Sequence, residues 1–385
     1  MFLEVTLKNN PALIDAAAKL HREGLIEPNT YCIDLDMVRK NAELLSNTAQ
    51  KYRVNLYFMT KQFGRNPVVS RAIMDSGIEK AVAVDLDEAR LLYKNGIKIG
   101  HIGHLVQVPR SGIKEALGMN PDFITCFSTD KARQINDAAK ELGLVQNILL
   151  RVVDDGDYIY PGQEGGIKLR DLERAALEIK KLDNIKIKGV TSFPCFLYNY
   201  KSGGIEPTKN LFTIKKAADI LKGLGFDISQ INGPSATCTS SIPLLKEMGV
   251  TSGEPGHALT GTTPLHAGGT EPEVQAMVYV TEVSHTAKGK AYVFGGGFYS
   301  RSRMKKAYIP GKNLVLNVKG ISPESIDYYA AVLDGGNELE VGDTVIFSFR
   351  TQVFVTRSKV AVVEGIQEGN PRLVGIFNHL GDEIK

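Results

Sequence analysis

The strongest constraint on this chain of 385 residues is a regular alternation of two kinds of segment. From about residue 55, short runs rich in β-branched residues alternate with longer stretches of helical period, the pattern of repeated βα units around a parallel sheet. There are eight such runs, at residues 55–59, 80–84, 98–103, 123–127, 148–153, 187–192, 228–232 and 250–252. Eight strands with helical crossovers predict a closed (β/α)8 barrel of the TIM type. An open, doubly wound α/β sheet is the alternative.

The segments between these runs have the periodicity of amphipathic helices. One of them has four apolar residues on a single helical face: Leu172, Ala175, Ala176 and Ile179. Four glycines stand where helices of this pattern would end: Gly96, Gly143, Gly225 and Gly249. Helices are therefore expected between the strands.

The last third of the chain has a different character. After about residue 270, β-rich runs are separated by Gly, Pro and Asn turns and no helical period remains. We therefore expect two domains: residues 1–265, an N-terminal segment plus the barrel, and residues 266–385, a C-terminal β domain. Ahead of the barrel, residues 9–23 predict a helix and residues 30–35 a strand.

Composition and charge argue against several classes of protein. The 46 basic and 43 acidic residues give a net charge of +3 without a basic block, so nucleic acid is not an expected partner. The chain has neither a signal-like start nor a run of about 18 apolar residues, which predicts a cytoplasmic protein with no membrane partner. The four cysteines are far apart in sequence and are expected to be reduced core thiols.

Candidate chemistry lies just past the predicted strands, because barrel enzymes carry their active sites at the carboxyl ends of the strands. Lys61 follows the first strand, and a lysine amine that is partly desolvated can form a Schiff base. By itself, a lysine in this position is more often a solvated charge. The loops after the seventh and eighth predicted strands are rich in Gly, Ser and Thr. Backbone N–H and hydroxyl groups in these loops can bind a phosphate, at Gly233, Ser235, Thr237, Gly256 and His257. Ordinary βα turns use the same residue types.

Glu254, directly after the eighth predicted strand, indicates that Lys61 and the two phosphate-binding loops could bind one cofactor. A carboxylate here can pair with the pyridine nitrogen of pyridoxal phosphate (PLP) and keep that nitrogen protonated. A protonated ring withdraws electrons from the substrate Cα. The alternative is a helix-start carboxylate before Pro255 that interacts only with the helix dipole.

Several stretches carry a family resemblance, among them CIDLDMVRKN at residues 32–41, FMTKQFG at 58–64, GVTSF at 189–193 and GEPG at 253–256. With them the chain resembles the alanine racemase family of fold type III PLP enzymes, and within it the YhfX-type predicted amino acid racemases. The resemblance implies PLP bound to Lys61 as a Schiff base and an amino acid substrate. It also implies a homodimer in which each β domain completes the partner's site.

The chain departs from the family at three positions. Alanine racemases have an arginine at the ring nitrogen, whereas Glu254 lies in a Glu-Pro-Gly run similar to that of ornithine and diaminopimelate decarboxylases. Phe193 stands where a histidine is common, so it can stack on the ring but cannot carry a proton. Arg151 stands where some racemases have a modified lysine, and it is expected either to stabilise the phenolic oxygen of PLP or to fill the barrel.

The resemblance also implies the reaction, racemisation or epimerisation of an amino acid through an external aldimine. Lys61 would remove or return the Cα proton on one face, and a tyrosine of the β domain would serve the other face. Tyr299 is the candidate for that second role, with Tyr328 and Tyr329 as rivals.

Three other functions fit parts of the pattern. A decarboxylase of the same fold is the nearest, but those enzymes share a cysteine-aspartate motif and residues 320–325 read GISPES. D-threonine aldolases share a late His-x-Asp metal pair that neither His285 nor His379 forms, so no metal is expected. A non-catalytic PLP carrier would lack the β domain. His101 and His104, after the third strand, could reach the site as acid or base groups, but such residues more often satisfy a loop.

Overall fold

The computed structural model describes residues 2–297, 299, 301–320 and 328–385. The chain divides into two compact units. The barrel unit consists of Leu45–Met59 and Gly77–Pro255, and the β unit consists of Met1–Leu44, Thr60–Ser76 and Gly256–Lys385.

The strands are numbered in chain order over the described residues. They are β1 Thr30–Asp34, β2 Asn55–Leu56, β3 Phe58–Met59, β4 Ala81–Ala83, β5 Ile99–Ile102, β6 Phe123–Cys126, β7 Gln146–Val153, β8 Ile167–Lys168, β9 Ile185–Thr191, β10 Phe196–Asn199, β11 Gly204–Pro207, β12 Gln230–Asn232, β13 Ser252–Gly253, β14 Met277–Ala287, β15 Lys290–Phe294, β16 Lys306–Ile309, β17 Leu314–Gly320, β18 Tyr329–Asp334, β19 Thr344–Phe347, β20 Lys359–Glu364 and β21 Arg372–Phe377.

The α-helices are numbered in the same way. They are α1 Phe2–Asn9, α2 Pro11–Arg22, α3 Leu35–Tyr52, α4 Pro67–Asp75, α5 Leu86–Lys94, α6 Ile113–Gly118, α7 Thr129–Glu141, α8 Leu172–Ile179, α9 Lys209–Gly223 and α10 Ile242–Glu247. Within the described part of the chain, none of these helices is both long and apolar enough to cross a membrane.

The parallel strands of the barrel unit form a closed ring. Their hydrogen-bonded order is β2-β13-β12-β9-β7-β6-β5-β4-β3, with β8 paired to β7 outside this path. The pieces β2 and β3 belong to one strand interrupted at Tyr57, so both ends of the order meet in the same segment. Each of the eight predicted runs overlaps a strand of the ring, with β2 and β3 both in the first run and β13 sharing only residue 252 with the last. The predicted (β/α)8 barrel is therefore confirmed, and the open sheet is excluded.

The helices around the barrel end where the sequence predicts. The expected apolar face of α8 is buried at all four positions. The helices α5 and α7 begin after Asp85 and Ser128, whose side chains accept hydrogen bonds from the exposed N–H groups of the first turn. The four predicted end glycines all have a left-handed backbone, with φ of 70° at Gly96, 67° at Gly143, 81° at Gly225 and 77° at Gly249.

The β unit contains a nine-stranded sheet in the order β15-β18-β17-β16-β19-β14-β1-β20-β21. β1 lies inside this sheet, antiparallel to β14 and parallel to β20. Helix α2 covers one face, where its apolar side chains form a core with Cys32, Val278 and Val280. The sequence predicted the strand at 30–35 but grouped it with the barrel, because the residues of a strand do not reveal which distant strand will pair with it.

Candidate active site

Glu254 is the centre of a buried polar cluster in the barrel unit. It directly follows β13, and its side chain is 1% exposed. The carboxylate oxygen Oε1 accepts hydrogen bonds from Asn232 Nδ2 at 2.8 Å and from His101 Nδ1 at 3.2 Å. The other oxygen, Oε2, lies 3.5 Å from His104 Nε2 and accepts no hydrogen bond from the described residues. Oε1 of the carboxylate is thus held by two hydrogen bonds, whereas Oε2 faces the His104 ring.

Electrostatics keep this buried carboxylate ionised. Burial raises the pKa of Glu254, but His104, His101 and Asn232 outweigh that effect and lower the pKa to about 2. The loop after β12 holds the Glu254 backbone, because Thr237 Oγ1 accepts a hydrogen bond of 3.1 Å from the Glu254 backbone N–H. The site therefore contains a fixed negative charge in a low-dielectric interior.

Aromatic rings extend from this cluster. The His104 ring meets the edge of Phe193 at a centroid distance of 5.6 Å, and Phe193 meets Tyr160 at 5.8 Å. Phe193 is half-buried. It supplies an apolar face beside His104, so among these three rings the groups able to exchange a proton are those of His104 and Tyr160.

Arg151 is a second buried charge of the barrel unit. It lies on β7, is 1% exposed, and its guanidinium sits 4.7 Å from the centroid of the Phe127 ring. Nη2 donates to the Gln163 carbonyl at 2.8 Å, whereas Nε and Nη1 find no acceptor among the described groups. Burial lowers the pKa of Arg151, although a guanidinium keeps its proton in proteins. A buried cation with two unused donors is suited to an anionic oxygen.

The loop after β12, which is the seventh strand of the barrel, is positioned by its own side chains. Ser235 donates its hydroxyl to the Phe196 carbonyl at 2.5 Å, so it cannot donate to a phosphate without breaking that bond. Gly233 needs its small size, since a Cβ there would lie 2.8 Å from Val250. A phosphate in this loop would depend on backbone N–H groups and on the Thr237 hydroxyl.

A donor set suited to a metal ion is also present. Ligand atoms of His101, His104 and Glu254 lie within 4.8 Å of one another, and all three side chains are buried. Two imidazoles and a carboxylate can bind a transition metal. The sequence predicts no metal, and this absence remains a prediction.

In the β unit, Lys61 begins a short 3-10 turn, Lys61–Phe63, and is half-buried. The backbone carbonyl of the next residue, Gln62, accepts a hydrogen bond of 2.9 Å from Thr351 Oγ1. Gly256 packs against the same residue, since a Cβ there would lie 2.5 Å from Gln62 Oε1. The turn that presents Lys61 is thus held from two sides.

Gly64 ends this turn with φ of 71°, and a Cβ there would come within 3.1 Å of both Val353 and Val360. We expect Gly64→Ala to cost about 1–2 kcal/mol for the left-handed backbone and a further ~1–3 kcal/mol for crowding. Gly24 provides a matched control, because it has the same φ with nothing within 4 Å. Urea unfolding should therefore separate the two variants, and equal losses at both glycines would refute the crowding term.

His257 is a neutral imidazole of the β unit. Burial and the positive charges of Arg350 and Lys61 hold the pKa of His257 well below its usual value. Its Nε2 lies 2.9 Å from the Thr351 carbonyl, which can only accept, so Nε2 carries the hydrogen.

This low pKa predicts a pH-dependent stability. The unfolded imidazole binds a proton below its ordinary pKa of about 6.5, and the folded one does not. Stability is therefore fully present above that pH and falls below it, by up to about 1.4 kcal/mol per pH unit. His257→Gln, which keeps a donor for Thr351, should reduce the slope between about pH 6.5 and 5 by this amount in urea titrations. His21 and His379, whose pKa values are also lowered, would supply the slope that remains. An unchanged slope would contradict the assignment.

Tyr299, the predicted second proton carrier, is 8% exposed. Two guanidinium groups lie against its ring, Arg301 at 5.3 Å and Arg350 at 5.7 Å from the centroid. Its rivals are placed differently: Tyr328 is 63% exposed, and the ring of Tyr329 packs at 5.1 Å from His285. The decarboxylase comparison at residues 321–325 lies outside the described residues.

The predicted site residues thus fall into two sets. The barrel unit contains Arg151, Phe193, Ser235, Thr237 and Glu254, and the β unit contains Lys61, Gly256, His257 and Tyr299. From the sequence, His101 and His104 were expected only to satisfy a loop, and Asn232 and Thr125 had no predicted role. The usable signal was the position of both histidines at the end of the third strand.

Each of the two parts of the chain matches a known protein family. A closed βα barrel joined to a β-rich domain defines an alanine-racemase-like protein. The chain belongs to that family: residues 33–264 match the alanine racemase N-terminal domain, and residues 278–373 match the YhfX-like C-terminal domain. Members of the family use PLP.

Individual proteins of similar sequence support this family assignment. The chain is 42% identical to the uncharacterized protein YhfX of Escherichia coli K12 over 100% of both chains. It is 26% identical to the ornithine racemase of Acetoanaerobium sticklandii over 49% of this chain and 50% of that one.

Solved structures share the fold. An alanine racemase of Clostridium difficile in complex with cycloserine has a TM-score of 0.64 at 19% identity, covering 92% of this chain and 99% of that one. The D-threo-3-hydroxyaspartate dehydratase of Delftia has a TM-score of 0.67 at 15% identity, covering 90% and 97%.

Proposed function

We propose that this protein is a PLP-dependent enzyme acting at the Cα of an amino acid, and that the reaction is racemisation or epimerisation. The observation that carries the proposal is the Glu254 carboxylate. It is buried and ionised, with Oε1 held by two hydrogen bonds and Oε2 accepting none among the described residues. Such an oxygen is a suitable acceptor for a protonated pyridine nitrogen.

Two buried charged groups of the barrel unit, Glu254 and Arg151, support this choice of cofactor. Glu254 would accept the ring N–H, and the unused Nε and Nη1 donors of Arg151 would serve the phenolic oxygen. Lys61 would hold the cofactor covalently. Backbone N–H groups near Ser235 and Gly256 and the Thr237 hydroxyl would serve the phosphate.

The bound cofactor supplies an electron sink that makes the substrate Cα–H acidic. Lys61 has the amine that would accept this proton and return it. Tyr299 would carry the proton for the opposite face, and the guanidinium groups of Arg301 and Arg350 lie against its ring. By analogy with the family, Tyr299 would act in the partner subunit of a homodimer.

A decarboxylase is the second candidate, because Glu254 would promote loss of carbon dioxide as readily as loss of a proton. A non-catalytic PLP protein is the third. The family match of the first domain and the similarity to an ornithine racemase favour the racemase. All four cysteines are free and buried. Because thiols stay reduced in the cytoplasm, we also propose that the protein is cytoplasmic.

The test begins with an absorbance spectrum of the purified protein with added PLP, followed by borohydride reduction and peptide mapping. A phosphopyridoxyl label on Lys61 would support the proposal, and chiral chromatography and carbon dioxide release over a panel of amino acids would then distinguish the reactions. No band and no label after addition of PLP would overturn it.

A further inference from the structure

We propose that His101 is a positioning residue that fixes the Glu254 carboxylate so that Oε2 is left for the ring nitrogen of the cofactor. This inference rests on the proposed function. His101 lies on β5 and is 0% exposed, and its Nδ1 is 3.2 Å from Glu254 Oε1. Its other ring nitrogen, Nε2, is hydrogen-bonded to the hydroxyl of Thr125 on β6.

The chemistry of the partners fixes the proton on the His101 ring. An ionised carboxylate can only accept, so Nδ1 must carry the hydrogen. In the neutral ring Nε2 then has only a lone pair, which the Thr125 hydroxyl can fill by donating. The three groups therefore form a directed chain from Thr125 through His101 to Glu254, in an interior where Thr125 is 1% exposed.

A second hydrogen bond to Oε1 makes the orientation unique. Asn232 donates to Oε1 at 2.8 Å, and its own Oδ1 accepts from the Ser252 hydroxyl at 2.9 Å. Ser252 in turn accepts from Gln230 Nε2 at 2.7 Å. With His101 and Asn232 both on Oε1, rotation of the carboxylate would break two hydrogen bonds in a place that water does not reach.

His101 and His104 act differently on this carboxylate. His101 hydrogen-bonds the oxygen that is already held, whereas His104 Nε2 lies 3.5 Å from Oε2 and its ring packs on Phe193. Electrostatic coupling also reaches Glu254 from two other titratable groups, Tyr57 and Cys195. His101 is the histidine that orients the carboxylate. Removing it should therefore change the protonation of the cofactor's pyridine nitrogen more than it changes the affinity for the substrate.

The first test needs no cofactor. In protein labelled with 15N-histidine, long-range 1H–15N spectra report which ring nitrogen carries hydrogen, with the His101→Asn spectrum assigning the signal. We expect His101 to have hydrogen on Nδ1, the less common site in free histidine. Hydrogen on Nε2 alone would overturn the inference whether or not PLP binds.

The second test uses the loaded protein with PLP labelled with 15N in the ring. Removal of His101 in the His101→Leu variant should shift the pyridine 15N signal toward the unprotonated form. It should also lower kcat by about 10- to 100-fold, the usual cost of losing a partner that orients an active-site group, with KM changed little. His101→Asn should restore much of both, because its amide places a donor near the former Nδ1. Ser46→Ala removes another buried hydroxyl of the barrel unit, bonded to the Gly77 carbonyl, and should change neither.

The outcomes separate this inference from the proposed function. If PLP labels Lys61 but His101→Leu keeps the wild-type 15N shift and kcat, the positioning role is refuted and the function stands. If the wild-type protein takes up no PLP, both are refuted. Thr125→Val, which is nearly isosteric, removes only the donor to Nε2 and should give a smaller shift in the same direction. It tests the chain even if His101→Leu does not fold.

Discussion

Lys61→Ala is expected to eliminate covalent PLP and to reduce turnover by roughly 10⁴-fold or more, the scale seen when a covalent nucleophile is removed. Alanine has no amine to condense with the cofactor aldehyde, and it also removes the group proposed to carry the Cα proton. Borohydride labelling followed by mass spectrometry measures the first loss, and chiral chromatography measures the second.

Lys61→Arg is the matched control for charge. Arginine keeps a cation near His257, where the Lys61 charge helps to lower the pKa, but its guanidinium does not form the covalent link. It should fail in catalysis as alanine does while keeping the pH dependence of stability. Lys216→Ala, at an exposed position of α9, should retain label and turnover. Residual labelling in both Lys61 variants would move the attachment point to another lysine.

Glu254→Gln has the second largest expected effect, a loss of roughly 10²- to 10³-fold in kcat with PLP still bound, similar to the loss of one stabilising group in other active sites. The amide fills the same volume and can still accept from His101 and Asn232 through its oxygen. It lacks the negative charge that would keep the ring nitrogen protonated. Single-turnover kinetics and the 15N shift of labelled PLP measure the two consequences.

Glu254→Asp separates charge from reach. Aspartate keeps the charge but is one methylene shorter, so it should lose part of the hydrogen bonding to Asn232 and recover only some of the rate. If Glu254→Gln retains full turnover, the ring nitrogen must have a different partner, and the observation that carries the proposed function would fail.

The barrel was predictable because its signal is local and repeated. In the sequence, β-branched residues mark each strand. Apolar periodicity or an end glycine such as Gly143 marks the helices. The partner of β1 was not predictable, because pairing with β14 and β20 depends on contacts between distant parts of the chain. Sequence pattern specifies which residues become strands more strongly than it specifies which strands meet.

The site was predictable only where a residue's place in the chain limits its role. Lys61 and Glu254 stand at strand ends, and the barrel rule singles them out. The unmet donors of Arg151 and the hydrogen bond from His101 to Glu254 depend on side-chain direction across strands far apart in sequence. A histidine within a strand looks the same in sequence whether it fills the core or orients a carboxylate.

The position of β1 inside the sheet of the β unit imposes an order on biosynthesis. Residues 30–34 leave the ribosome long before residues 359–363 of β20, which pair with them. The strand β1 must therefore remain unpaired on that edge until β20 has been synthesised. A fragment that starts after the barrel would lack this strand and expose the facing edges of β14 and β20. The β unit is therefore not a cassette that evolution or an engineer could transfer by a single cut in the gene.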